Sequence, residues 1–375
     1  MKIGDYMVKW KNVELGKVIS LKRGYDLPQQ KRITGTIPVF SSSGISGYHN
    51  VAMVKGPGVV TGRYGTIGQV FFAKQDFWPL NTTLYVEDFH GNAPEFIYYF
   101  LKTLNWNSFM SASAVPGINR NTVHKALVTV PDLVTQKKVA SVLNDLDEKI
   151  ELNNKINVNL LQQSRAILSK WLLDNEGNYE FALLSDIASI NPDTYSPKDG
   201  WPYVNYLDTS SITDGVISEV QYIKPSMEKL PSRARRIIAK NDVVFSTVRP
   251  NQRHFGIIRE PLKNMLASTG FAVVRSKYSY VSNELLYLCL TENGFIEKMQ
   301  QLAEQSTSTF PSIKPSDLGT CEIPCPIDQH LSETLNSIFA YIALNQRENH
   351  SLAILRNTLL PRLMSGDLDV SNINI

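Results

Sequence analysis

The chain has 375 residues, of which 43% are hydrophobic and 19% charged, and a net charge of +3. This is the balance of a globular protein of two or three domains; it contains no run of eighteen apolar residues, so no membrane-spanning helix is expected. Three cysteines (Cys289, Cys321, Cys325) do not make a disulfide framework, and Met1 to Lys17 lacks a signal-peptide core, so the cytoplasm is the expected compartment.

Residues 1–131 read as alternating short strands and turns with one helix. Trp10 to Ile19 opens as a strand and turns helical; Ile37-Pro38-Val39-Phe40 is a strand that runs into a Ser41-Ser42-Ser43-Gly44 turn. Val59-Val60, Val70-Phe71-Phe72 and Leu84-Tyr85-Val86 are further strands, the first two separated by the glycine-rich Gly62-Arg63-Tyr64-Gly65-Thr66-Ile67-Gly68. Glu95 to Leu104 has the spacing of an amphipathic helix. Pro116 to Arg120 is a loop, and Leu127 to Val130 a last strand stopped by Pro131.

From Gln136 to about Trp171 the pattern changes to a long helix without glycine or proline. Val139, Leu143, Leu146, Ile150, Leu160, Ile167 and Trp171 form an a/d seam, interrupted by Asn153, Asn157 and Ser164. The seam recurs 192 residues later at Leu331, Leu335, Ile338, Ile342, Leu352, Leu359 and Leu363, with Asn345 and Asn349 at the same two defective places and Arg356 at that of Ser164. Buried seam asparagines cost stability and specify register and partner, so a repeat of both defects marks a duplicated unit. Antiparallel pairing sets Asn153 opposite Asn349, Asn157 opposite Asn345, Ile150 opposite Leu352 and Leu160 opposite Ile342.

Between the helices, residues 181–326 repeat the earlier order. Phe181 to Ile190 corresponds to the opening helix, Trp201-Pro202-Tyr203-Val204 to the Ile37 strand, and Asp242 to Phe245 to the Val59 strand. Gly270 to Val274 corresponds to the Leu84 strand, Glu284 to Leu290 to the Glu95 helix, and Phe310-Pro311-Ser312-Ile313-Lys314 to Val115-Pro116-Gly117-Ile118-Asn119. The skeleton is shared while the loops diverge, as expected of one scaffold that reads two different targets.

Charge follows the same division. Residues 1–130 carry 14 Lys and Arg against 7 Asp and Glu. Residues 180–326 are near neutral but cluster Arg233, Arg235, Arg236, Lys240, Arg249, Arg253, Arg259 and Lys263. Such patches suit a polyanion. No catalytic constellation accompanies them: the Gly62 to Gly68 loop lacks the lysine of a P-loop, Asn191-Pro192 reads as a turn, the histidines are scattered, and Cys321 and Cys325 have no second pair for zinc.

The ordered set resembles the specificity subunit of type I DNA restriction–modification enzymes. The carrying residues are Thr309 to Leu318, Ile323-Pro324, Pro326 and Leu359 to Gly366, with Val115 to Asn119, Val130-Pro131, Gln136 and the Gly62 to Gly68 loop as first-copy counterparts. The resemblance implies a mixed α+β fold, in which two similar α/β target-recognition domains are joined by two long antiparallel coiled-coil helices with pseudo-two-fold symmetry. The expected divisions are 1–131 (first domain), 132–176 (central helix), 177–326 (second domain) and 327–375 (distal helix and tail). It also implies a non-catalytic chain without cofactor or metal that reads a bipartite site in double-stranded DNA. Two methyltransferase subunits would supply adenine-N6 chemistry with S-adenosylmethionine, and restriction subunits would hydrolyse ATP. The rival readings are a DNA methyltransferase with its own recognition domain and a coiled-coil scaffold that never touches DNA.

Recognition loops vary within such a family, so candidate DNA contacts are chosen on chemistry. Arg, Asn and Gln make bidentate contacts to base edges; on the loops after the matched strands these are Arg63 and Gln69, with Tyr64 beside them, and Arg249, Asn251, Gln252 and Arg253, with His254. Lys74, Arg120, Lys240 and Lys314 are candidate phosphate contacts, which position without reading sequence.

Overall fold

The computed structural model describes residues 10–110, 117–306, 310–326 and 328–373. Val115, Pro116 and Thr309, used in the sequence comparison above, lie outside them. The chain divides into two compact units: Met1–Leu152 with Glu348–Ile375, and Asn153–Arg347.

The first unit contains β1 (Lys11–Glu14), β2 (Ser20–Arg23), β3 (Ile37–Ser41), β4 (Gly44–His49), β5 (Gly58–Gly62), β6 (Val70–Ala73), β7 (Trp78–Pro79), β8 (Thr83–Asp88), α1 (Pro94–Thr103), α2 (Arg120–His124), β9 (Leu127–Val130) and the start of the 42-residue α3 (Leu133–Asp174). Its main sheet has the order β2-β8-β5-β6; a smaller sheet has the order β4-β3-β7, and β1 pairs with β9. All five residues of β5 are buried, as its unbroken small and apolar composition anticipates for a strand covered on both faces. One core joins Val59 of β5, Phe96, Ile97, Phe100 and Leu101 of α1, Val139 and Leu143 of α3, and the C-terminal Leu363, Met364 and Val370.

The second unit contains the remainder of α3, β10 (Glu180–Leu183), the single turn α4 (Leu184–Ile187), β11 (Ala188–Ile190), β12 (Val204–Leu207), β13 (Ile212–Thr213), β14 (Val216–Ile217), β15 (Gln221–Ile223), β16 (Ala234–Ile237), β17 (Asp242–Ser246), β18 (Phe255–Ile258), β19 (Met265–Ser268), β20 (Phe271–Ser276), α5 (Asn283–Leu290), α6 (Asn293–Glu304), α7 (Pro315–Gly319), β21 (Glu322–Cys325) and most of α8 (Gln329–Ser365). The order β11-β20-β17-β18 matches that of the first unit's main sheet strand for strand, and β10 pairs with β21 as β1 does with β9. The parallel pair β12 and β19 corresponds to β3 and β7. The duplication is therefore visible in topology as well as in sequence. Its core includes Val243, Phe245, Leu286, Leu290 and Leu318, with Leu168 of α3 and Leu331, Leu335 and Phe339 of α8.

The long helices start in the same way. Asp132 Oδ1 accepts from Thr135 N–H (2.9 Å), and Asp328 Oδ1 from Leu331 N–H (3.0 Å), N-caps each worth about 1 kcal/mol. Within the first unit, Lys149 pairs with Glu348 (3.5 Å) and Asp147 with Arg356 (2.5 Å); within the second, Trp171 Nε1 donates to Asp328 Oδ2 (2.6 Å) and Asn345 Nδ2 to Asn157 Oδ1 (2.8 Å). In both units the partner number falls as the α3 number rises, so the two helices run antiparallel. Asn153 is fully buried and Asn349 half-buried. Arg356, a charge at a seam position, is accommodated because Asp147 also takes the Tyr99 hydroxyl (2.7 Å), joining the helix pair to α1. Gly366 ends α8 at φ 82°, with the Trp10 indole where a Cβ would stand.

The structure corrects the sequence reading in four places. The opening helices expected within Trp10 to Ile19 and Phe181 to Ile190 are single turns, Leu15–Lys17 and α4. The strand expected over Trp201 to Val204 begins at Val204, because Trp201 packs beside Tyr195 instead. Arg120, expected as the end of a loop, instead opens α2, which Asn119 caps through Asn121 N–H. Helix α6 was not anticipated, since its polar face outweighs the buried Ile296, Met299 and Ala303.

Candidate nucleic-acid interface

Both units carry the same three-way backbone junction. In the first, Arg63 N–H donates to Thr82 O (2.9 Å) and Arg63 O accepts from Ile118 N–H (3.0 Å). In the second, Thr247 N–H donates to Gly270 O (2.8 Å) and Thr247 O accepts from Ile313 N–H (2.9 Å). Each junction ties the loop leaving a central strand (β5 or β17) to the turn before the neighbouring strand (β8 or β20) and to the segment entering a short helix (α2 or α7). The Ile118 and Ile313 segments are those matched in sequence. The second junction is longer, because Val248 bridges Ser312 and Arg249 N–H donates to Pro311 O (2.9 Å).

The two candidate arginines stand at or just past these junctions. The Arg63 guanidinium lies over the Tyr64 ring, 4.5 Å from its centroid, and that of Arg249 over Phe310, 4.9 Å away. Arg249 has φ 48°, a left-handed conformation uncommon for a residue with a side chain and worth functional attention where it occurs. Neither guanidinium has a carboxylate within ion-pair distance among the described residues. Other arginines of the second unit behave differently. Arg259 pairs with Glu284, and Arg275 with Asp193 and Asp242. These charges brace the fold.

The other candidates divide accordingly. Arg253 donates through Nε to Asp214 (2.6 Å) and through a terminal nitrogen to Asn293 (3.0 Å), and its neighbour His254 places Nδ1 2.7 Å from Ile212 O. Both therefore hold the loop to β13. Asn251 and Gln252 are exposed on the turn after Arg249, the Asn251 N–H donating to Gln300 (3.2 Å). Gln69 is exposed at the end of the Arg63 loop. Arg120 and Lys314 are exposed at the starts of α2 and α7, two residues from Ile118 and one from Ile313. Lys74 is turned away, paired with Glu151 of α3 (2.6 Å). Lys240 is exposed before β17, at the opposite end of that strand from Arg249. The structure thus groups Arg63, Tyr64 and Arg120 around one junction, and Arg249, Asn251, Gln252 and Lys314 around the other.

Sequence reasoning passed over the supporting residues. A Cβ on Gly117 would stand 2.3 Å from the Tyr64 ring, and the Ser42 hairpin tip lies against Gly62 and Gly65. Phe310 and Gly117 were noticed as parts of matching segments, but stacking is a tertiary fact without a local signal. Among the described residues no group of His, Cys, Asp and Glu could hold a metal ion, and burial pushes the Cys321 and Cys325 thiols up, away from the reactive thiolate. His124 accepts from Leu21 N–H (2.9 Å) and is held below the ordinary imidazole pKa, first by burial and then by Arg120. No described helix is long and apolar enough to cross a membrane.

Residues 7–162 match the family described as type I restriction modification DNA specificity domain. The chain is 23% identical to the HindI specificity subunit of Haemophilus influenzae, over 73% of this chain and 77% of that one. It is 25% identical to the MjaIX specificity subunit of Methanocaldococcus jannaschii, over 85% of this chain and 79% of the relative. Its fold is similar to that of the type I restriction–modification S subunit from M. genitalium, with a TM-score of 0.57 and 17% identity over 97% and 98% of the two chains. The family match ends inside α3, and residues beyond it repeat the strand order of those within it. Over most of its length the chain is similar to type I restriction–modification specificity subunits, and its first 162 residues hold the match to their DNA specificity domain.

Proposed function

We propose that this chain is the DNA sequence-specificity subunit of a cytoplasmic type I restriction–modification complex, non-catalytic in itself, and that each globular domain reads one part of a bipartite site. The observation that carries this reading is the repeated junction with an arginine free of carboxylate partners. One scaffold, present twice with different loop chemistry, suits recognition of two unlike short segments. Arg63 and Arg249, with Gln69, Asn251 and Gln252, are the base-edge candidates, and Arg120 and Lys314 are the phosphate candidates. On this reading Arg253, His254 and Lys74 act by holding loops. Methyltransferase subunits dock on the long helices and supply S-adenosylmethionine chemistry, and restriction subunits join the larger assembly.

The test is to purify the chain with its methyltransferase partner and measure DNA binding at two salt concentrations, together with methyl transfer. The expected result is salt-sensitive binding, adenine methylation by the complex and no S-adenosylmethionine binding by the chain alone. S-adenosylmethionine bound to the isolated chain would favour a methyltransferase; absence of salt-sensitive binding by the complex would favour a scaffold.

A further inference from the structure

Arg63 and Arg249 reach the same chemical state by different routes. Tyr64 follows Arg63 directly in the chain, whereas Phe310 comes from the segment entering α7, 61 residues beyond Arg249. In both units the guanidinium carbon stands over an aromatic ring, 4.5 Å and 4.9 Å from its centroid. Each ring is anchored by the segment that closes the junction. Tyr64 rests on Gly117, where any Cβ would stand 2.3 Å from the ring, and Phe310 precedes Pro311, whose carbonyl accepts the Arg249 N–H. Phe310 is 54% exposed, so the core does not explain why a large apolar ring is kept there.

We infer that Tyr64 and Phe310 are positioning residues: plates that hold the Arg63 and Arg249 guanidinium planes for bidentate pairing with a guanine edge, with Gly117 as the spacer that admits the first plate. This rests on the proposed DNA-reading function and deepens it. A long side chain with one face covered retains fewer orientations, so less freedom is lost when its planar fork meets two acceptors. In the first unit the plate is a neighbour in sequence; in the second it couples the reading loop to the α7 segment.

The test uses the assembled complex with its methyltransferase subunits and compares wild type with Tyr64→Ala, Tyr64→Phe, Phe310→Ala, Phe310→Tyr and Gly117→Ala. Methylation rates are measured on duplexes carrying every single-base change in the site. Wild-type complex that shows no site preference would refute the underlying function; the variants decide the plate. Phe310→Ala is expected to reduce discrimination about threefold to fivefold at one position of one segment and to leave the other segment unchanged, the size of an exposed cation–π contact. Phe310→Tyr restores it. Tyr64→Ala and Gly117→Ala are expected to do the same in the other segment, with Tyr64→Phe close to wild type. Since the unaffected segment reports a folded complex, unchanged discrimination at every position, or equal loss in both segments, would overturn the inference.

Discussion

The asparagine pair between the long helices offers a sharp energetic test. Asn345 donates to Asn157 across the seam, and both are half-buried. An amide hydrogen bond contributes about 1 kcal/mol net, whereas a desolvated polar group left without a partner costs ~1–3 kcal/mol. A leucine at such a half-buried position gains roughly 1 kcal/mol, about half the value for full burial. Asn345→Leu should therefore lower stability by about 1–2 kcal/mol, because the Asn157 amide is left against an apolar neighbour, and Asn157→Leu should do the same. The double leucine variant removes both amides and should return to wild-type stability or above it, a non-additivity of ~2 kcal/mol or more. Urea unfolding of the four proteins, followed by helix circular dichroism, gives the cycle. If the two single losses simply add in the double variant, the pair does not interact as described.

Three further outcomes follow from other contacts. Asp147→Ala removes the acceptor shared by Arg356 and the buried Tyr99 hydroxyl and should cost about 2 kcal/mol, with Asp147→Asn closer to 1 kcal/mol, measured as chemical denaturation midpoints. The His124 pKa is depressed by burial, so around and below the ordinary value of 6.5 the unfolded chain binds more protons than the folded one. The stability it contributes is complete above that pH and falls as pH drops through it toward the folded value; melting temperatures between pH 5 and 7 should show this slope, and His124→Gln should flatten it. Arg253→Ala breaks the contacts to Asp214 and Asn293 and should lower stability by ~1 kcal/mol while leaving base preference intact; a change of preference in methylation assays would make Arg253 a reader instead.

The sequence made the periodic and duplicated parts of the fold legible. Both long helices, their asparagine defects and the central strands announce themselves because burial repeats at fixed spacing and extends over many residues. Small elements were harder. Leu15–Lys17 and α4 carry enough apolar residues to suggest longer helices, yet each is one turn clipped between paired strands. In the interface, residue type alone singled out Arg63 and Arg249 but could not separate them from Arg253 and Lys74. That separation lies in Asp214 and Glu151, residues distant in sequence. The Phe310 plate escaped notice for the same reason: it meets Arg249 only once the junction forms.

The central claim is that two separate modules of this chain read two parts of one DNA site. It is tested most directly by mapping methylated adenines across the genome of a cell that carries this chain with its methyltransferase partner, beside cells carrying Arg63→Ala or Arg249→Ala. A lost bidentate contact to guanine removes ~1–3 kcal/mol of discrimination. The expected wild-type map is a single motif of two unlike segments separated by unread base pairs, with Arg63→Ala relaxing one segment and Arg249→Ala the other. A contiguous motif, or relaxation of both segments by either substitution, would contradict the account.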